Sequence, residues 1–243
     1  MTCVLLAAGY ATRLYPLTTN YPKALLKVGN KAIIDRILEN VDRSCNVDRY
    51  VLVTNNRFAG IFNGWAKSVS YSAPVVVLDD GTDTVDNRRG AVGDLIFAMD
   101  QLALDEDLFV MAVDYFVDFD LGRFVQYARI KDASCILRYE EDNISILRKS
   151  GVMSVDTDDR IIRMEEKPEE PFDVWCAPPF YYFVKKDVPL IRDSTSLGCP
   201  KDAPGNLARW LSERAPVYAM LMPGQHYDIG DLESYYEVQA QFS

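Results

Sequence analysis

Two cations beyond a glycine that breaks an apolar strand are the first residues able to do chemistry. Residues 3–28 read Cys-Val-Leu-Leu-Ala-Ala-Gly-Tyr-Ala-Thr-Arg-Leu-Tyr-Pro-Leu-Thr-Thr-Asn-Tyr-Pro-Lys-Ala-Leu-Leu-Lys-Val. The apolar run from Cys3 to Ala8 stops at Gly9. A polar loop follows, with Arg13 and Lys23 as fixed cations and Pro16 and Pro22 as turn-setting residues. Small residues let backbone N–H groups approach an anion, and Arg and Lys neutralise it, so the segment suits a polyphosphate. An ordinary strand-to-helix turn with both cations solvated would use the same residue types. No Gly-Lys-Ser/Thr follows, which excludes a Walker loop, and the glycines of the dinucleotide fingerprint are missing. Asp114 closes a second apolar run, Leu108 to Val113. An acid at the carboxyl end of a buried strand faces the ligand crevice and is placed to hold a divalent metal, although a turn or N-cap aspartate fits the same position.

The elements that must position these groups follow from periodicity. Apolar runs at 2–8, 49–54, 74–79 and 107–113 read as buried strands. Between them, Ile33, Ile34, Ile37, Leu38 and Val41 recur at helical spacing and predict a helix over 31–43. Further helices are expected over 57–67 and from Gly90 to about residue 102. This alternation implies an α/β fold with a mostly parallel sheet and helices on both faces. The second half changes character, with strand-like runs at 133–138, 151–155, 160–165 and 179–184. Its charged and Pro-rich stretches, 140–150 and 168–178, read as loops able to cover a substrate. A helix over 203–213, a strand at 216–221 and a last helix capped by Asp231 complete the pattern. The reading is one domain over residues 1–243, with a nucleotide half to about 130 and a substrate half from 131. Ligands of such open sheets bind at the carboxyl ends of strands, where Gly9 and Asp114 both lie.

Bulk composition narrows the partners. The 243 residues carry a formal charge of −10. That argues against nucleic acid or an anionic membrane as a partner, since both select a cationic face. No run is long enough to span a bilayer, and no charged leader with a separate apolar core precedes the first strand. Five cysteines, an odd number with no Cys-x-x-Cys, and the single His226 make a zinc site a poor reading. Reduced thiols in a cytoplasmic protein are the simplest account.

Residues 6–23 resemble the signature Leu-Ala-Ala-Gly-x-Gly-Thr-Arg-Leu-x-Pro-Leu-Thr-x-x-x-Pro-Lys of the sugar-1-phosphate nucleotidyltransferases, or nucleotide-sugar pyrophosphorylases. Ala11 replaces the second glycine, and since alanine resists positive φ the loop is expected to take a shifted path. Weaker likenesses follow in order. Ala112 to Leu121 is similar to the Gly-Asp-Asn/Asp segment, with Val113 and Tyr115 as departures. Arg163 to Pro168 is similar to Glu-Lys-Pro. His226 to Tyr235 is similar to Trp-x-Asp-x-Gly-Thr-Pro-x-Ser, with Asp231 for the threonine. The likeness runs from Leu5 to Tyr236 and implies a Rossmann-like three-layer α/β/α sandwich of the nucleotide-diphospho-sugar transferase type, with a mixed, mostly parallel central sheet. It also implies the short form, without a C-terminal β-helix domain.

The resemblance carries roles to individual residues. Leu6, Ala7, Ala8, Gly9, Arg13 and Lys23 would bind the nucleotide. Asn87, Gly90 and Asp94 fall where the family reads the base, in a stretch that matches no single specificity. Arg88 and Arg89 beside them could reach phosphates or stay solvated. Asp114 and Asp228 would hold Mg²⁺, leaving Asp118 and Asp120 as loop and capping residues. Gly151, Glu166, Lys167 and one of Tyr181 and Tyr182 would meet the sugar phosphate, while Asp202 reads as a helix cap. Arg13, Lys23 and Lys167 would be the catalytic cations. The implied reaction joins a nucleoside triphosphate, with a pyrimidine favoured, to a sugar 1-phosphate. Rivals are a cytidylyltransferase acting on phosphocholine, another phosphorylated alcohol or a phosphonate, and a catalytically silent nucleotide-sugar sensor. Family members often form dimers or tetramers, so a homo-oligomer is also implied.

Overall fold

The structure, a computed structural model, describes residues 1–242. In chain order its strands and helices begin with β1 (Thr2–Leu6), β2 (Lys27–Val28), β3 (Lys31–Ala32), α1 (Ile33–Ser44), β4 (Arg49–Thr54), α2 (Asn56–Ser68) and β5 (Val75–Asp79). They continue with α3 (Ala91–Gln101), β6 (Leu108–Ala112), β7 (Tyr115–Val117), α4 (Gly122–Lys131), β8 (Ser134–Glu140), α5 (Ile144–Leu147), β9 (Gly151–Val155) and β10 (Ile161–Glu166). The last are β11 (Trp175–Ala177), β12 (Phe180–Phe183), α6 (Val188–Asp193), α7 (Pro204–Ser212), β13 (Val217–Leu221), β14 (His226–Asp228) and α8 (Leu232–Gln241).

One mixed sheet runs through both halves in the order β10-β9-β11-β8-β12-β6-β1-β4-β5, with β13 paired to β8. β1 is parallel to β4 and β6, and β4 to β5, which gives the first half of the chain its parallel character. β12 then pairs antiparallel with both β6 and β8 and joins the two halves. Alternate side chains on these strands enter opposite cores, as strand geometry requires. Leu5, Phe109, Met111 and Tyr182 pack with Ile34, Ile37 and Leu38 of α1 and Phe124 of α4. Val4, Val110, Ile136 and Tyr181 pack with Leu95 and Met99 of α3 and Leu207 and Leu211 of α7. Helices on both faces make the three-layer sandwich.

Several elements depart from the sequence expectations. Residues 168–178 are not all loop, because Trp175–Ala177 is a strand wedged between β8 and β9. Its brevity and the flanking Pro171, Pro178 and Pro179 hide it, since proline reads as a breaker. Residues 140–150 contain the short α5. Helix α4 has no counterpart in the sequence reading, having only Phe124, Val125 and Ala128 as buried anchors. Ala11 does take the positive φ that alanine resists. At φ 47°, ψ 44° it makes the left-handed turn a glycine would make, and its carbonyl accepts from Thr18 Oγ1 at 2.8 Å. All five cysteines are free. No described helix is long and apolar enough to cross a membrane.

Candidate active site

Two cavities open along the carboxyl ends of the central strands, and they meet at Ala112, Asp114 and Asp228, which line both. The first, of about 480 Å³, is walled by Leu6, Ala7, Gly9, Arg13, Lys23 and Arg88 among others. Local packing explains its wall. The Ala7 N–H donates to Val53 O at 2.8 Å, and Asn55 Nδ2 donates to Ala8 O at 2.9 Å, which fixes the strand exit. Leu14 is wholly buried in the short 3-10 turn that carries Arg13. Ala24 and Leu25 are buried in the turn that carries Lys23, so Lys23 is directed to the cavity. Its ammonium donates to Asp114 Oδ2 at 3.0 Å.

Asp114 follows β6 directly, as its strand-end position suggests. Asp228 arrives by a device the sequence reading lacks. β14 pairs antiparallel with β7 as a two-stranded ribbon, with Asp228 opposite Tyr115, and Ile229 N–H donates to Asp114 O at 3.1 Å. The ribbon is held by Phe116 stacked on Tyr227 and by Tyr115 stacked on His226, with ring centroids 4.8 and 5.1 Å apart. Asp228 is exposed at the end of β14 and lines both cavities. The surrounding protein first, and then the charge of Asp114, push its carboxyl up to about 6, against the opposing pull of Lys23 and Arg13. Two carboxylates converging at an open junction are a donor set that suits Mg²⁺, which takes one or two carboxylates and completes its shell with water and phosphate oxygens. Among the described residues, no cluster of three or more His, Cys, Asp or Glu offers a closed metal cage.

The second cavity, of about 350 Å³, holds Gly151, Glu166, Lys167 and Tyr181, together with Tyr115, Tyr139, Lys149, Ser150, Asp202 and Gly205. Glu166 pairs with Gly151 across β9 and β10. A Cβ at Gly205 would stand 2.0 Å from Glu166 Oε2, and one at Gly151 3.0 Å from it. The two glycines therefore form a slot for the carboxylate. Burial raises the pKa of Glu166, Lys167 opposes the rise, and Asp202 adds to it. Lys167 holds a left-handed φ of 53°, and its N–H donates to Ser150 O at 2.9 Å. Gly205→Ala is expected to drive Glu166 from this slot. Alanine favours a helix by about 1 kcal/mol over glycine, so α7 itself should not suffer. Steady-state kinetics should show a raised KM for the ligand of this cavity and an unchanged KM for the ligand of the first. An unchanged pair would mean Glu166 does not contact ligand.

The remaining expectations divide. Tyr182 does not line the second cavity, because strand alternation turns it to the other face, where its hydroxyl donates to Asp107 Oδ2 at 2.7 Å. Ala8, Asn87, Gly90 and Asp94 are absent from both cavity walls. Asn87 instead closes its own loop, donating to Asp83 Oδ1 at 2.7 Å. Gly90, at φ 80°, is needed because a Cβ would lie 2.3 Å from Lys201 O. Asp94 is buried beside Asp80. Asp202 is no helix cap. Residue Ala203 occupies the N-cap of α7, and Asp202 Oδ1 accepts from Asn206 Nδ2 at 2.8 Å. Asp118 and Asp120 accept backbone N–H groups of Gln225 and Gly122, as loop residues do. Asp231 caps α8 through a capping box with Ser234.

Residues 2–243 match the family model described as nucleotidyl transferase. The chain is 26% identical over 251 residues to a glucose-1-phosphate adenylyltransferase of Fervidobacterium nodosum, covering 98% of this chain and 60% of the relative. It is 25% identical over 248 residues to a UTP–glucose-1-phosphate uridylyltransferase of Synechocystis, covering 98% and 62%. The chain thus spans about three fifths of the length of these relatives. Among solved structures, a UDP-glucose pyrophosphorylase complexed with UDP-glucose superposes with a TM-score of 0.84 at 20% identity, over 99% of this chain and 97% of that one. That likeness shows the fold.

Proposed function

The chain belongs to the nucleotidyl transferase family, and from that premise we propose that it joins a nucleoside triphosphate to a sugar 1-phosphate and releases pyrophosphate. The observation that carries this reading is the junction of two cavities at Asp114 and Asp228, one with Arg13 and Lys23 and the other with Lys167. Two anionic substrates would lie end to end there. An oxygen of the sugar phosphate attacks the α-phosphorus in line. The new O–P bond forms as the bond to the β-phosphate bridging oxygen breaks, and that electron pair leaves with pyrophosphate. The nucleophile is already an anion, so no base is required, and catalysis is positioning with charge neutralisation.

Arg13 and Lys23 hold the triphosphate, and Lys167 holds the attacking phosphate. Asp114 and Asp228 would bind Mg²⁺. When bound there, the ion supplies positive charge to phosphate oxygens. Glu166 and Tyr181 orient the sugar. A pyrimidine triphosphate is the substrate favoured for the first trial. Pyrophosphate release tests the reading, with Mg²⁺, each of UTP, CTP, dTTP, ATP and GTP, and a panel of sugar 1-phosphates plus phosphocholine. Release that needs one triphosphate and one sugar 1-phosphate is expected. Release with phosphocholine alone would replace the acceptor, and no release with any pair would remove the enzymatic reading.

A further inference from the structure

We propose that Arg88 is a third phosphate-binding cation of the first cavity, held ready on the loop between β5 and α3. The inference rests on the reading that this cavity takes a nucleoside triphosphate. Sequence alone leaves Arg88 and Arg89 as an indistinct basic pair, but the structure separates them. Arg89 is committed: its Nε donates to Asp80 O at 2.8 Å, and its guanidinium lies 4.6 Å from the centroid of the Phe97 ring. Arg88 lines the cavity with Arg13 and Lys23 and has no hydrogen bond or ion pair among the described residues.

Its backbone is fixed on both sides. Before it, Asn87 Oδ1 accepts the N–H groups of Asp83 and Thr84 at 3.2 and 3.1 Å. After it, Arg89 is anchored to Asp80, and Gly90 is pressed against the Lys201 carbonyl. Between these two anchored neighbours the Arg88 side chain is uncommitted. A guanidinium presented from a fixed backbone loses less freedom on meeting an anion than one on a mobile loop.

Charge balance points the same way. Without Arg88, the cavity wall sets Arg13 and Lys23 against Asp114 and Asp228, two cations against two carboxylates. Before any cation binds its carboxylates, such a wall has no surplus charge to draw in a polyanion. Arg88 supplies the surplus, in a side chain whose planar donors match phosphate oxygens. It comes from a different segment than Arg13 and Lys23, so the three would hold the ligand between two loops.

The test is calorimetric titration of UTP, ATP and inorganic tripolyphosphate into the wild-type protein, Arg88→Ala and Arg88→Lys. Arg88→Ala is expected to weaken tripolyphosphate and whichever nucleotide binds by a similar factor, roughly tenfold or more, with Arg88→Lys recovering part of the loss. The exposed position should leave the melting temperature unchanged. A loss confined to the nucleotide would make Arg88 a base or ribose contact and overturn the proposal. So would equal affinities in wild type and Arg88→Ala, which would make it a solvated residue. A wild-type protein that binds none of the three probes would instead overturn the triphosphate reading itself.

Discussion

Lys23→Ala is expected to lower the rate of nucleotidyl transfer by roughly 10²- to 10³-fold, the scale of removing one preorganised charge-stabilising donor from an active site. Two effects act together. The Lys23 side chain is only 13% exposed and sits 3.0 Å from Asp114 at the junction of the cavities. Its loss removes a cation from the place where the proposed reaction concentrates negative charge. It also removes one of the groups that pull the Asp228 carboxyl down. The pKa of Asp228 should then climb above its value of about 6, and less of it would be ionised near neutral pH. Adding excess Mg²⁺ should restore part of the second loss and none of the first. Saturating steady-state rates across a Mg²⁺ series would separate the two. A variant with near-normal turnover would take Lys23 out of the mechanism.

The division between what is legible in this chain and what is not follows the range of the interactions. The loop from Gly9 to Lys23 is legible because its chemistry and its turn residues lie in one short segment. Asp114 is legible because a lone acid after an apolar run must sit at a strand end. The long helices α1 and α3 follow from spacing, with only their ends displaced. The partnership of Asp114 with Asp228 is different, since it depends on two three-residue strands that pair across nearly half of the chain. Strands that short give no periodic signal. The slot around Glu166 has the same character. Gly205 looks like a poor helix residue until the carboxylate from β10 is placed against it. Alternation shows that Tyr181 and Tyr182 take opposite faces, but only the sheet position of β12 says which face holds the cavity.

Asp94→Asn is expected to stabilise the fold at alkaline pH, and its physical basis lies outside the proposed chemistry. Asp94 is 5% exposed in the first turns of α3. Burial first, and then the charge and proximity of Asp80, push its carboxyl up to about 8, with Arg89 pulling weakly the other way. Asp80 Oδ2 and Asp94 Oδ1 are both buried without a hydrogen-bond donor. A proton retained on Asp94 supplies the donor they lack. The folded state therefore holds a proton that the unfolded chain releases near pH 4, so the stability it contributes is full below about pH 4 and lost by about pH 8. At about 1.4 kcal/mol per unit of pKa difference, the loss is on the order of a few kcal/mol. Asparagine keeps the shape and a donor without the charge, so it should remove this slope. Urea unfolding of both proteins at about pH 5 and pH 8.5 would show it as a gap that widens with pH. Other raised carboxyls, Glu166 and Asp228, contribute to both proteins alike and cancel in the difference. Equal pH slopes for the two proteins would mean that Asp94 ionises in the folded state as freely as in the unfolded chain.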